Sequence, residues 1–572
     1  MIRAFTVSLA AALLAGCATL PANAPAAPIA PPAGFAGTVT AADPRAEEAG
    51  MAMLRAGGNA TDAAVATMLA LTVVEPQSSG IGGGGFLVRG TAAGTAESFD
   101  GREKAPAAAG PEWFSGPDGK LPAYRESVRS GLSVGVPGNV AMAARAHAKN
   151  GRLPWAKLFE PAIALARDGF RINPRLHDYL VRMPEHAGGS PVAKALFYDA
   201  AGAAHPVGHV VTNSALARTF TDIAARGPQA FYTGALAEEI ATTTAAATPH
   251  DKAMTPADLA DYEAQERAPV CGNYRAYRIC AMGPPTSGGV AVLQILGMLE
   301  RFDLSALGAE NPVTWHLFLE AQRLAYADRE LYLADSDFVS VPVAGLVDPS
   351  YLAQRSALID PATTLAFAAP GKPAGAPIAL ADGDEPEERG TSHLAAVDAA
   401  GTMVSYTSTI EGPFGSGLMA SGFYLNNELT DFSRSPEVEG RMVANRVESG
   451  KRPRSSMSPA VVWDPQGRPF LAVGAAGGST IPVQTARSII AAIDFGASAG
   501  EAVGMPFIMA FGDAILVEQG TWLETAIPAF EALGHSQITA RAAPVKGGAI
   551  LRSASGWQGA RDPRIESDLI LP

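Results

Sequence analysis

The chain has 572 residues, with 43 Lys plus Arg against 56 Asp plus Glu and a formal net charge of −13. Apolar types make up 48% and charged types 17%, which excludes intrinsic disorder and allows a large buried core. The acidic excess argues against nucleic acid as a partner, because phosphate binding needs a basic surface.

Arg3 and the apolar run Ala4 to Leu14 form a secretory leader. The run falls well short of the roughly 20 residues that span a bilayer. Leu14-Ala15-Gly16-Cys17 resembles a bacterial lipobox. Residues 1–16 would then be removed, and Cys17 would carry lipid at the new N-terminus. Ala18 in place of Asp gives no signal for inner-membrane retention. The expectation is a lipoprotein of the bacterial cell envelope, anchored in the outer membrane and facing the periplasm. An Ala/Pro-rich tether covers 17–40, and the folded part begins at 41.

Pro44 to Ala56 reads as a helix stopped by Gly57-Gly58, and a second runs from Asn59 to about Val74. Gly80 to Gly85 matches GxGxxG, but its helix lies before it and its strand after it, the reverse of a dinucleotide site. It reads as a loop whose glycines allow close backbone packing. Strands are expected around Phe86 to Val88, Val397 and Val404. Val270 to Met282 alternates like two strands about a turn near Arg275. That pairing sets Cys271 opposite Cys280, where an oxidising compartment allows a disulfide; two free thiols are the alternative. With nine His, no HExxH and no paired CxxC, no metal site is expected, and no cofactor. Leu317, Ala321, Leu324 and Leu331 recur at helical spacing, with charges expected on a solvent face.

Composition shifts at Asp382 to Gly390, an acidic loop suited to cleavage. It leads directly into a hairpin: a strand through Asp398, a turn at Ala399-Ala400-Gly401, and a return strand from Thr402 to Thr409. Thr391 stands at the joint.

From about Ala41 to Pro572 the chain resembles the γ-glutamyltranspeptidase (glutathione hydrolase) family of N-terminal nucleophile hydrolases. The likeness rests on SSGIGGGGF at Ser78, DGREKAP at Asp100, SVGVPG at Ser133 and PPTSGG at Pro284. It continues in GTSHLAAVD at Gly390, FGSG at Phe414, LNNELTDFS at Leu425, KRPRSSMSP at Lys451 and GAAGGS at Gly474. The resemblance implies an α+β fold, a four-layer αββα sandwich. It also implies self-cleavage at Gly390-Thr391 into a large chain, 41–390, and a small chain, 391–572, sharing one fold.

The resemblance further implies the roles. Thr391 would be the nucleophile, with its freed α-amine as base, and Thr409 its hydrogen-bonding neighbour. Gly477 and Gly478 would face the oxyanion. Arg102, Ser455 and Ser456 would hold the donor's α-carboxylate, and Glu428 and Asp431 its α-ammonium. The partners would be a small γ-glutamyl donor and water or an amino-acid acceptor. Two departures stand out. Only 17 residues separate Ser433 from Lys451, where family members carry a longer lid. Glu411 stands where they carry Asn, which would place Glu411, Glu428 and Asp431 around one α-ammonium. The expected activity is γ-glutamyl hydrolysis or transfer. The alternatives are an acylase for glutaryl-type amides and an inactive lipid-anchored binding protein.

Overall fold

The computed structural model describes residues 1, 35–116, 118–377, 381, 390–566 and 569. Cys17, most of the tether and most of the acidic loop lie outside them. Twelve strands form two six-stranded antiparallel sheets. In chain order they are β1 (Gly37–Ala41), β2 (Gly84–Gly90), β3 (Ala96–Gly101), β4 (Gln265–Arg267), β5 (Val270–Tyr274) and β6 (Tyr277–Ala281). Then come β7 (Ser392–Asp398), β8 (Met403–Thr409), β9 (Ala460–Trp463), β10 (Pro469–Ala476), β11 (Lys546–Ser553) and β12 (Gly556–Arg561). The first sheet runs β1-β7-β8-β2-β3-β4 and the second β12-β11-β10-β9-β6-β5. Segments on both sides of Gly390 supply strands to both sheets.

Strand alternation builds the layers. Ala395 and Val397 of β7 point inward with Phe86 and Val88, meeting Val461, Ala472 and Ile550 of the second sheet. Leu394 and Ala396 point outward, onto α1 (Pro44–Arg55) and α2 (Ala60–Val74). The short helix α3 (Pro174–Arg182) lies further along the chain. Outward residues of the second sheet, such as Val462 and Val473, pack with α4 (Gly288–Leu299), α5 (Pro312–Tyr332) and α6 (Ile481–Asp494). This is the αββα sandwich. Both faces of each sheet are covered, so β7 and β8 are buried at every residue.

Local signals act as read. Asn59 caps α2 and Asp62 answers its backbone N–H, a capping box. Arg275 and Ala276 take positive φ in the turn between β5 and β6, Cys271 pairs with Cys280, and the two are bonded. Two readings change. The tether ends before Gly37, because the β-branched run Thr38-Val39-Thr40 belongs to β1 and pairs with β7. The charged face of α5 is buried, not solvated: Glu320 pairs with Arg323, Arg323 with Asp513, and Asp328 with Arg355. Covering segments supply partners that the helix pattern alone does not show. Among the described residues, no helix is long and apolar enough to cross a membrane.

Candidate active site

One end of the first sheet collects the candidate residues. Thr391 immediately precedes β7, and the register Ser392↔Ser408 sets it beside Thr409 at the end of β8. Thr409 in turn pairs with Gly84 at the start of β2, and Gly85 with Gly101, after which Arg102 leaves β3. The glycine loop makes this crowding feasible. A Cβ on Gly83 would meet the Thr409 carbonyl at 2.0 Å, and one on Gly84 the Gly101 carbonyl at 2.3 Å. Further motifs converge on Asn426, whose amide donates to Gly82 and Gly135 and accepts from Gly135 and Glu428. The glycine run is thus a packing device, not a phosphate cradle.

Thr391 is 5% exposed. Its hydroxyl contacts the Gly390 carbonyl oxygen and lies 3.3 Å from Thr409 Oγ1. Thr409 Oγ1 also accepts from the Glu411 N–H at 2.7 Å. A Cβ on Gly390 would meet the Glu411 carbonyl at 2.0 Å, so glycine is required at that close approach. Thr391 and Gly390 open on a cavity of about 820 Å³. Gly477, Ser479 and Thr480 form one wall, at the turn from β10 into α6. Gly477 and Gly478 have φ of 125° and 60°, a backbone that glycine adopts freely. A helix start of this kind favours developing negative charge. Arg175 and Arg182 of α3, with Arg541, outnumber the one lining acid among the described residues, Asp178, which pairs with Arg182, and give the cavity a net cationic lining within an acidic chain.

The proposed donor-binding set forms a second cluster. Arg102 is 1% exposed, and its guanidinium donates to the Pro453 and Arg454 carbonyls at 3.1 and 2.9 Å. It also pairs with Glu428 and Asp431. Ser455 and Ser456 lie on the same wrapping segment. Ser455 Oγ accepts from the Met457 N–H, and Ser456 Oγ from Arg329 at 2.9 Å. None of these five residues lines the Thr391 cavity in this uncut chain.

Three carboxylates do converge, but the third at Arg102 is Glu103, 3.9 Å away, rather than Glu411. Burial and the neighbouring Glu428 hold the Glu103 carboxyl well above the usual range. Burial raises Glu428 as well, with Arg102 opposing it. Glu411, at φ 69°, follows the end of β8, and its carboxylate accepts from the Asn427 amide. It lines an adjoining cavity of about 310 Å³ with Arg125, Arg129 and Arg182.

The segment expected to be a short lid forms a small hairpin, Glu437–Val438 with Arg441–Met442, and no part of it lines the Thr391 cavity. Ala381 donates to the Met442 carbonyl at 3.1 Å, so the hairpin holds the chain shortly before Gly390.

Sequence reasoning missed two residues. Glu103 sits inside a quoted motif, beside Arg102. Lys546 opens β11 opposite Ala476 and lines the Thr391 cavity, and no local pattern marks it. Among the described residues, one buried cluster has metal-ligand side chains: His316, Glu320 and His535. Their atoms are engaged already: His316 Nδ1 and His535 Nε2 are 2.7 Å apart, and Glu320 accepts from Arg323, Thr364 and Leu365.

The family model described as Gamma-glutamyltranspeptidase matches residues 46–570. The chain is 35% identical over 588 residues to the glutathione hydrolase proenzyme of Escherichia coli, covering 98% of each. It is 34% identical over 525 residues to the acylase ACY 1 proenzyme of a Pseudomonas species, covering 91% of this chain and 90% of that one. Cephalosporin acylase from Bacillus halodurans superposes with a TM-score of 0.80 at 26% identity, covering 96% of this chain and 98% of that one.

Proposed function

The chain belongs to the γ-glutamyltranspeptidase family, and on that premise we propose that it cuts itself at Gly390-Thr391 and then hydrolyses γ-glutamyl amides such as glutathione. Transfer to amino-acid acceptors is the competing outcome. The observation that carries the reading is Thr391 itself. It heads a buried strand, its hydroxyl rests against the preceding carbonyl, and Thr409 and a cavity lie beside it.

In maturation, Thr391 Oγ1 attacks the Gly390 carbonyl carbon. The amide becomes an ester as the bond to the Thr391 nitrogen breaks, and water releases the Gly390 carboxylate. The freed α-amine, whose ordinary pKa is about 8, then serves as base. It takes the Thr391 hydroxyl proton as the oxygen attacks the γ-carbonyl of the donor. The N–H groups of Gly477 and Gly478 receive the oxyanion, a contribution of typically about 3 to 4 kcal/mol per donor. Collapse expels the amine, which leaves with that proton, and water or an amino acid cleaves the ester. In this reading Arg102, Ser455 and Ser456 take the donor's α-carboxylate, and Glu428 and Asp431 its α-ammonium, once the cluster opens onto the Thr391 cavity after the cut. The cationic lining of Arg175, Arg182 and Arg541 suits donors and leaving groups that carry carboxylates.

A second reading, an acylase for glutaryl-type amides, draws on the similarity to an acylase proenzyme and to a cephalosporin acylase structure. A hydrolysis panel of glutathione, a γ-glutamyl anilide and a glutaryl anilide separates the two. Turnover of the γ-glutamyl donors at tenfold or better kcat/KM supports the first reading, and preference for the glutaryl anilide overturns it. The leader-like run from Ala4 to Leu14 and the lipobox-like Leu14-Ala15-Gly16-Cys17 support lipidation of Cys17 and placement in the cell envelope, on the periplasmic side of the outer membrane. The mass of the N-terminal peptide tests that: an unmodified Cys17 would refute it.

A further inference from the structure

Lys546 is 6% exposed, yet it keeps a full set of partners. Its Nζ donates to Glu75 Oε2 at 2.6 Å, to Ser78 Oγ and Ser392 Oγ at 3.2 Å each, and to the Thr391 carbonyl oxygen at 3.0 Å. Glu75 lies just past the end of α2 and also accepts from Ser392 Oγ at 2.6 Å. One ammonium therefore joins the helical layer, the nucleophile's strand and the first residue of β11. The largest other charges acting on it are Arg175 of α3, 3.7 Å from Glu75, and Asp43, which is bonded to Arg45; Arg541 and the paired Arg182 and Asp178 line the same cavity. His393, two residues along β7, adds no charge, because burial pushes it down to about 3. Glu75 cancels one of the two nearby cations, and the other remains.

The carbonyl oxygen and the nitrogen of one residue are only a few ångströms apart. The ammonium that touches the Thr391 carbonyl is thus also close to the nitrogen that becomes the α-amine. We propose that Lys546 is a positioning residue for the nucleophile: it fixes the Thr391 carbonyl and, by its charge, keeps the freed α-amine neutral and ready to accept a proton. This rests on the reading of Thr391 as an N-terminal nucleophile. A cation close by disfavours a second protonation, so the α-amine pKa falls. Lys546 itself keeps its proton at pH 7, since burial, with Arg175 adding to it and Glu75 opposing, lowers it only to about 8.

The test is the pH profile of kcat/KM for a γ-glutamyl anilide, measured on matured Lys546→Met and Lys546→Arg beside wild type. Small-chain mass confirms a Thr391 terminus in each. The wild-type acid limb should lie below the ordinary α-amine value of about 8. Lys546→Met should raise that limb by about one pH unit, a roughly tenfold loss at pH 6 with little loss above pH 9. Lys546→Arg keeps the charge and should keep the limb. A merely structural role would lower Tm and kcat evenly and leave the limb in place, which overturns the proposal. Where Lys546→Met does not mature, the other two proteins decide: a wild-type limb at 8 or above, or a displaced limb in Lys546→Arg, overturns it. Active protein without a Thr391 terminus would instead refute the nucleophile reading beneath it.

Discussion

Gly390→Ala separates maturation from catalysis. The added Cβ would stand 2.0 Å from the Glu411 carbonyl oxygen and 2.8 Å from the Gly412 carbonyl carbon, against a practical floor of 3.0 Å. Something must therefore move by roughly 1 Å. The Glu411 turn is held by its N–H on Thr409 Oγ1 at 2.7 Å and by Asn427 on its carboxylate, so the scissile peptide is the part that yields. A misplacement of about 1 Å typically costs on the order of a hundredfold in rate, while such overpacking costs the fold only about 1–3 kcal/mol. The uncut chain should persist about a hundred times longer, followed by gel electrophoresis of freshly purified protein. Residue 390 leaves on the large chain, so fully cut Gly390→Ala should show wild-type kcat/KM per Thr391 terminus. Maturation at the wild-type rate would refute the steric argument. Slow maturation with an equally impaired cut enzyme would show that residue 390 still shapes the mature site.

Arg102→Ala leaves Glu103, Glu428 and Asp431 buried without their guanidinium, a loss of about 3–5 kcal/mol; Tm should drop by several degrees along with activity, and an unchanged Tm would show that the buried pair contributes nothing. Burial pushes His186 down to about 4 and His393 to about 3, so between pH 6.5 and 4 the unfolded chain binds protons the native one refuses. The contribution of these two histidines should therefore fall on acidification through that window, opposed by the raised Glu103 carboxyl, and a His393→Gln variant whose Tm changes from pH 7 to 5 as wild type does in calorimetry would contradict this. Because the hairpin at 437–442 leaves the Thr391 cavity uncovered, hydrolysis should outrun transfer to glycylglycine at moderate acceptor concentrations; dominant transfer by product chromatography would count against it. Glu411→Asn should lower the γ-glutamyl to glutaryl kcat/KM ratio, because it removes a carboxylate that attracts the α-ammonium glutaryl amides lack, and an unchanged ratio would confine the Glu411 carboxylate to the neighbouring cavity.

Local elements were legible because their causes are local. The Asn59 cap, the Gly57-Gly58 stop, the turn at Arg275 and the hairpin around Gly401 each depend on residues within a few positions. Thr391, Thr409 and Arg102 were reached through motifs, and the strand register shows why those motifs belong together: Thr391 before β7, Thr409 at the end of β8 and Arg102 after β3 lie at one end of the same sheet. What stayed hidden depends on long-range packing. Lys546 is 155 residues from Thr391 and 471 from Glu75, and at the start of a strand it reads like any exposed lysine. The charges of α5 sit on a face that hydropathy assigns to solvent until the partners of Arg323 and Asp328 are in place. Glu103 is adjacent to Arg102, but only the fold shows that it, rather than Glu411, completes the buried acid cluster.

The central claim is that Thr391 becomes the N-terminal nucleophile, and intact-mass spectrometry of the purified active protein tests it most directly. The account predicts two chains, the smaller beginning at Thr391 with 182 residues and gaining the mass of the acyl group when quenched during turnover. Thr391→Ala should remain one inactive polypeptide in the same experiment. Full activity in a single uncut chain, or an acyl adduct on any residue other than Thr391, would contradict the account.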